Sequence, residues 1–202
     1  MWRLRGQVKI AVLGTLWLSL PASPQTGRSQ SPAKQHFESS AVSFDYSYPM
    51  VLCQAGASAC PGCQSPSTVI ACVTYSKKIY AHYNVSDGPR LSIAVLDNVR
   101  DQAKCLALPE DEMTSKLPDQ QFNGVTFKSV LQTDAAMSHS YRSYFYRAFH
   151  NGRCYDLELF LATVNAGVYD AAERPKEFTD ADERKVVNNF KRMLDTLRLP
   201  GA

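Results

Sequence analysis

The stretch YRSYFYRAFHNGRCYDLELFLATV, residues 141–164, constrains the fold of this 202-residue chain more than any other. Asn151-Gly152 stands between two runs of alternating side chains, and a two-residue hairpin turn of the favoured kind needs positive φ at both central residues. Glycine accepts that conformation freely and asparagine tolerates it. Such a turn sets His150 opposite Arg153. The register then pairs Ala148 with Tyr155, Tyr146 with Leu157 and Tyr144 with Leu159. The other face pairs Phe149 with Cys154, Arg147 with Asp156 and Phe145 with Glu158. The first face is aromatic and aliphatic and is expected in the core. The second is mixed and suits partial cover by a helix, with Arg147–Asp156 a cross-strand pair of about 0.2–1 kcal/mol.

Other strands follow from the same period of two. In AVSFDYSYP, residues 41–49, Val42, Phe44, Tyr46 and Tyr48 alternate with polar residues until Pro49, which cannot donate to a ladder, ends the run. A Cys-rich loop leads to a β-branched second strand over 67–75, and 91–99 reads as a third. Residues 100–120 read as partly helical around RDQAKCLAL and irregular near Pro109 and Pro118. A fourth strand over 124–134 puts Val125, Phe127 and Ser129 on one face. At the C-terminus, Val186, Val187, Phe190, Met193, Leu194 and Leu197 recur at helical spacing. Asp180 with Glu183 reads as a capping box there, and Pro200 as the stop. The fold class expected is α+β: an antiparallel β-sheet flanked by helices, with a Cys-rich loop between the first two strands.

An opening FDYSYP strand, an aromatic Asn-Gly hairpin and a closing helix that runs into MLDTLRL, in that order, resemble the PsbP-like family. That family is named for the extrinsic photosystem II protein and shares its fold with a Ran-binding nuclear import factor. The resemblance spans roughly residues 41–199. It implies an α/β/α sandwich and an accessory or binding role, and it carries over no functional residue.

The start of the chain speaks to compartment. Arg3, Arg5 and Lys9 precede an apolar run, Ile10 to Leu20, and the small residues of PAS. This is the pattern of a signal peptide over 1–22, too short in its apolar part for a membrane span. Residues 23–40, rich in Ser, Pro and Gln, read as a flexible leader, and 41–199 as a single domain. The chain has 22 Lys+Arg against 19 Asp+Glu; without its first 22 residues it has 19 of each. That balance lacks the positive bias that nucleic acid or an anionic membrane surface requires.

In an exported chain, Cys53, Cys60, Cys63, Cys72, Cys105 and Cys154 are disulfide candidates. One of the loop cysteines is expected to reach a distant partner such as Cys105, while Cys72 and Cys154, in strands, could be buried thiols. Two chemical alternatives use the 53–72 loop. A zinc site usually takes two short C-x-x-C knuckles, and only Cys60-Pro-Gly-Cys63 exists. A redox dithiol wants a helix directly after the motif, and here Pro66 and a β-branched strand follow. His36, His82, His139 and His150 have no ligand-spaced neighbours. No nucleophile elbow or phosphate-binding glycine motif occurs. Tyr141, Tyr144, Tyr146 and Tyr155 could form an aromatic ligand surface, although the last three fall on the core face. Asn84-Val85-Ser86 matches a glycosylation acceptor, to which nothing else lends weight. The expectation is an exported, periplasmic or secreted, non-catalytic domain of the envelope. It would need no cofactor, bind an unknown protein or small ligand, and make no stable membrane insertion once the signal is cleaved. The alternative is a thiol–disulfide or metal-dependent envelope protein using the Cys53–Cys72 loop.

Overall fold

The computed structural model describes residues 33–53, 67–108 and 112–201. The expected signal peptide, Cys60 and Cys63 lie outside the described residues. In chain order the elements are β1 (Lys34–Glu38), β2 (Ser43–Ser47), β3 (Met50–Leu52), β4 (Ser67–Tyr75), α1 (Lys77–Tyr80) and β5 (Val85–Leu96). There follow α2 (Gln102–Leu106), β6 (Thr114–Phe122), β7 (Val125–Ala136), β8 (His139–His150), β9 (Arg153–Val164) and α3 (Asp180–Leu194). Strands β3-β4-β5-β9-β8-β7-β6 make one antiparallel seven-stranded sheet, and β1-β2 a separate ribbon. The class is α+β, as the residue pattern requires.

The Asn151-Gly152 turn fixes the β8–β9 register as expected, from His150 opposite Arg153 through Tyr144 opposite Leu159. Both turn residues have positive φ, 48° and 71°. Tyr146, Ala148, Tyr155, Leu157 and Leu159 are buried on one face together with Leu91, Ile93, Val73 and Tyr75. On this face lies α3, whose Val186, Val187, Phe190, Met193 and Leu194 join the same cluster, Phe190 meeting Tyr75 edge to face at 5.2 Å. Glu183, in the first turn of α3, binds back to β8: it accepts from Tyr144 Oη at 2.6 Å and from Arg142 Nη1.

Several expectations are corrected. The leader does not extend to residue 40: Lys34–Glu38 is a strand paired with β2, and His36 Nδ1 lies 2.7 Å from Asp45 Oδ1. Consequently the Cys-rich loop joins the third and fourth strands, because Met50–Leu52 pairs with β4 beyond Pro49. The third strand begins at Val85, six residues early, accommodating Gly88-Pro89 through register shifts. Residues 114–122 form the edge strand β6, which tolerates Pro118 by a bulge between Leu117 and Gln120. The capping box is Thr179 with Asp182: Thr179 Oγ1 accepts from Asp182 N, and the Asp182 carboxylate accepts from Thr179 N at 3.2 Å. A threonine hydroxyl one residue upstream of Asp180 takes the capping role expected of that aspartate.

Candidate functional site

The side of the sheet away from α3 is where polar groups collect, because alternation sends residues 141, 143, 145, 147, 149 and 154, 156, 158, 160 there together. Its lower part is closed. Leu96, Cys105 and Cys154 form a small cluster with Val99, Leu106 and Phe149, and the Cys105–Cys154 disulfide bolts α2 to β9. Beside it Arg147 and Asp156 form a two-pronged ion pair, Nε to Oδ1 at 3.2 Å and Nη2 to Oδ2 at 3.1 Å. The remaining Arg147 nitrogen donates to Ala107 O at 2.8 Å, where the chain leaves α2. Both side chains are almost wholly buried, 2% and 0% exposed. Burial raises the Asp156 carboxyl above its ordinary range, and the pull of Arg147 offsets this only in part.

The upper part is open. Glu158, Ser92, Phe145 and Ser143 are buried in its floor, with Ser143 Oγ donating to Glu158 Oε1 at 2.7 Å. Over them runs a half-exposed strip of flat side chains crossing β8, β9 and β5. His139 lies parallel to Tyr141 at 6.0 Å, Tyr141 to Phe160 at 6.1 Å, and the Arg90 guanidinium carbon stands 5.5 Å from the centre of the Phe160 ring. A hollow of about 360 Å³ opens against this strip, lined among others by Tyr141, Phe160, Ser143, Glu158, Asp134 and Thr133.

The cysteines resolve differently from expectation. Cys53 pairs with Cys72, and Cys105 with Cys154, so neither strand cysteine is a buried thiol and Cys105 is not the anchor of the loop. The reason is placement: Cys53 leaves β3 directly opposite Cys72, its N–H donating to Cys72 O at 2.9 Å. Cys53 and Cys72, which bound the loop that the metal alternative uses, are thereby bonded to each other. No group of three or more metal-ligating side chains occurs among the described residues. Of the four tyrosines, Tyr146 and Tyr155 are buried in the main core, Tyr144 is held by Glu183, and Tyr141 alone lies on the open face. Asn84 is a clasp: its amide donates to Val164 O and accepts from Phe178 N, both at 2.6 Å. Sequence reasoning passed over Arg90, since Gly88-Pro89-Arg90 reads as a turn rather than as part of a strand.

No family model matches the chain, and no curated protein does. Among solved structures, the Ran-binding protein Mog1p of Saccharomyces cerevisiae is similar at a TM-score of 0.46 and 8% identity, over 84% of this chain and 96% of that one. A likeness of that size supports no inference about what this chain does.

Proposed function

We propose that this chain is an exported, non-catalytic binding domain of the cell envelope that takes its protein or small-molecule ligand on the sheet face opposite α3. The observation that carries this is the half-exposed strip of His139, Tyr141, Phe160 and Arg90. The fold buries Tyr146 and Tyr155 on the other face, so rings left partly in water on this one mark a surface fitted for contact. The basic, apolar start of the sequence and the two disulfides among the described residues support an oxidising destination. No helix among the described residues is long and apolar enough to cross a membrane. The PsbP-like resemblance supports an accessory role, and the charge balance past residue 22 speaks against nucleic acid.

Two measurements test the reading. N-terminal sequencing of the chain recovered outside the cytoplasm is expected to start near Ser23; a full-length chain retained in the cytoplasm refutes export. A photo-crosslinking amino acid at position 141 is expected to give adducts in its native host that the same group at exposed Lys185 does not. Equal adducts at both positions refute a binding role for the open face.

A further inference from the structure

Among the described residues of the open face, Arg90 carries a buried side-chain donor without a partner. Its Nε is buried and has no hydrogen-bond partner among the described residues, in a residue that is otherwise only partly buried. A guanidinium carries five N–H donors in a rigid fork and does not lose its charge. Leaving such a donor out of water and unpaired is costly, so the buried Nε calls for a physical reason. The contact with Phe160 fixes the plane of the fork without using any donor.

Among the described residues, no carboxylate forms an ion pair with it. Arg90 sits opposite Phe160 on β9 and Thr74 on β4, with Ser92 and Glu158 one row further along. The Glu158 carboxylate accepts from Ser143 on β8, on the side away from Arg90. The Thr74 hydroxyl donates to Pro89 O at 3.0 Å. A guanidinium whose plane is set by Phe160 and whose buried Nε has no partner thus ends the strip of rings.

We infer that Arg90 is the anion-recognition residue of the open face, and that it takes the carboxylate of a small organic acid whose apolar body lies against Phe160 and Tyr141. The inference rests on the reading of this face as a binding surface and names its ligand chemistry. A planar carboxylate matches the guanidinium fork two bonds to two. The rings supply the apolar bed that a bare inorganic anion could not use. Asp134, which lines the adjoining hollow, disfavours a second negative charge and so favours a monocarboxylate.

The test is an amide-shift titration of the labelled protein with benzoate, with inorganic phosphate and benzyl alcohol as comparisons. Benzoate is expected to give saturable shifts at Arg90, Tyr141 and Phe160, and the two comparisons weaker ones. Replacing Arg90→Gln is expected to weaken benzoate at least about tenfold, in line with a charged hydrogen-bonded pair. Arg90→Lys, which keeps the charge and loses the fork, does not restore it. Arg90→Gln should also unfold at or above the wild-type temperature, since it removes an unpaired donor; a marked fall overturns the inference by revealing a structural partner. Benzoate shifts that survive Arg90→Gln overturn the role of Arg90 and leave the open face as a binding surface. Phosphate binding as tightly as benzoate, or no saturable benzoate shift, overturns the ligand class, while the adduct at position 141 reports on the face independently.

Discussion

Replacing Arg147→Met strands Asp156 inside the protein. The carboxylate is 0% exposed, loses both guanidinium contacts at 3.1–3.2 Å, and has only the apolar cover of α2 in exchange, while Ala107 O loses its donor. Breaking a buried pair by removing one partner costs about 3–5 kcal/mol. For a domain of this size that is roughly 10 °C in Tm. The pH dependence has a definite sign. The folded-state pKa of Asp156 is raised above its ordinary 3.8, so its contribution is most favourable below that value and declines as pH rises through the folded one. Without Arg147 the folded value rises further, because the cation was what lowered it. The deficit of the variant is therefore full at neutral pH and shrinks on acidification, as Asp156 takes up a proton. Urea unfolding at neutral and mildly acidic pH reads this directly. The double variant Arg147→Met, Asp156→Leu should return to near wild-type stability at neutral pH, since matched apolar groups can replace a buried pair. A single-variant loss below about 1 kcal/mol, the range of a solvent-exposed pair, or a double variant no better than the single one, refutes the reasoning.

Three further outcomes are expected. The Cys105–Cys154 bridge closes a longer loop than Cys53–Cys72, 49 against 19 residues of separation, so removing it by paired Cys→Ala changes should cost more, about 4 against about 3 kcal/mol. Urea midpoints in the reverse order contradict this. Asn84→Ala should lose about 1–3 kcal/mol by leaving Val164 O and Phe178 N without their partner, and a midpoint shift too small to measure refutes the clasp. Between β7 and β8, Met137 and Ser138 hold φ of 48° and 67°, so Met137→Asn with Ser138→Gly should raise stability by about 1 kcal/mol in thermal unfolding; a fall refutes it.

Where a residue type is matched to one backbone conformation, the sequence was a sufficient guide. Asn151-Gly152 fixed twelve cross-strand pairs, including the buried Arg147–Asp156 pair. The same signal stands at Asn123-Gly124, with φ of 45° and 82°, and it turns β6 into β7; Pro118 masked it by making the preceding run look irregular. Met137-Ser138 shows the limit, since neither residue advertises the left-handed turn it adopts. Lys34–Glu38 was hidden because its strand character comes from pairing with β2 rather than from its own apolar pattern. Disulfide pairing depends on which strand ends meet in space, and composition does not encode that. For the candidate site, Tyr141 was visible as the one tyrosine off the core face. Arg90 was not, because a buried N–H without a partner shows only once the strands around it are in place.

The position of β9 at the centre of the sheet has a consequence for how the chain reaches this state. β4 and β5 are complete as a hairpin by residue 96, but the partner of β5 begins only at residue 153. Until β8 and β9 have been delivered, the outer edge of β5 presents open N–H and C=O groups and the apolar side chains of Leu91 and Ile93. Pairing across so long a separation is slow, so a chain that emerges N-terminus first passes through a half-built sheet with an adhesive edge. The Asn151-Gly152 turn shortens that interval: once β8 and β9 have zipped together locally, they dock as one unit and cover the waiting strand.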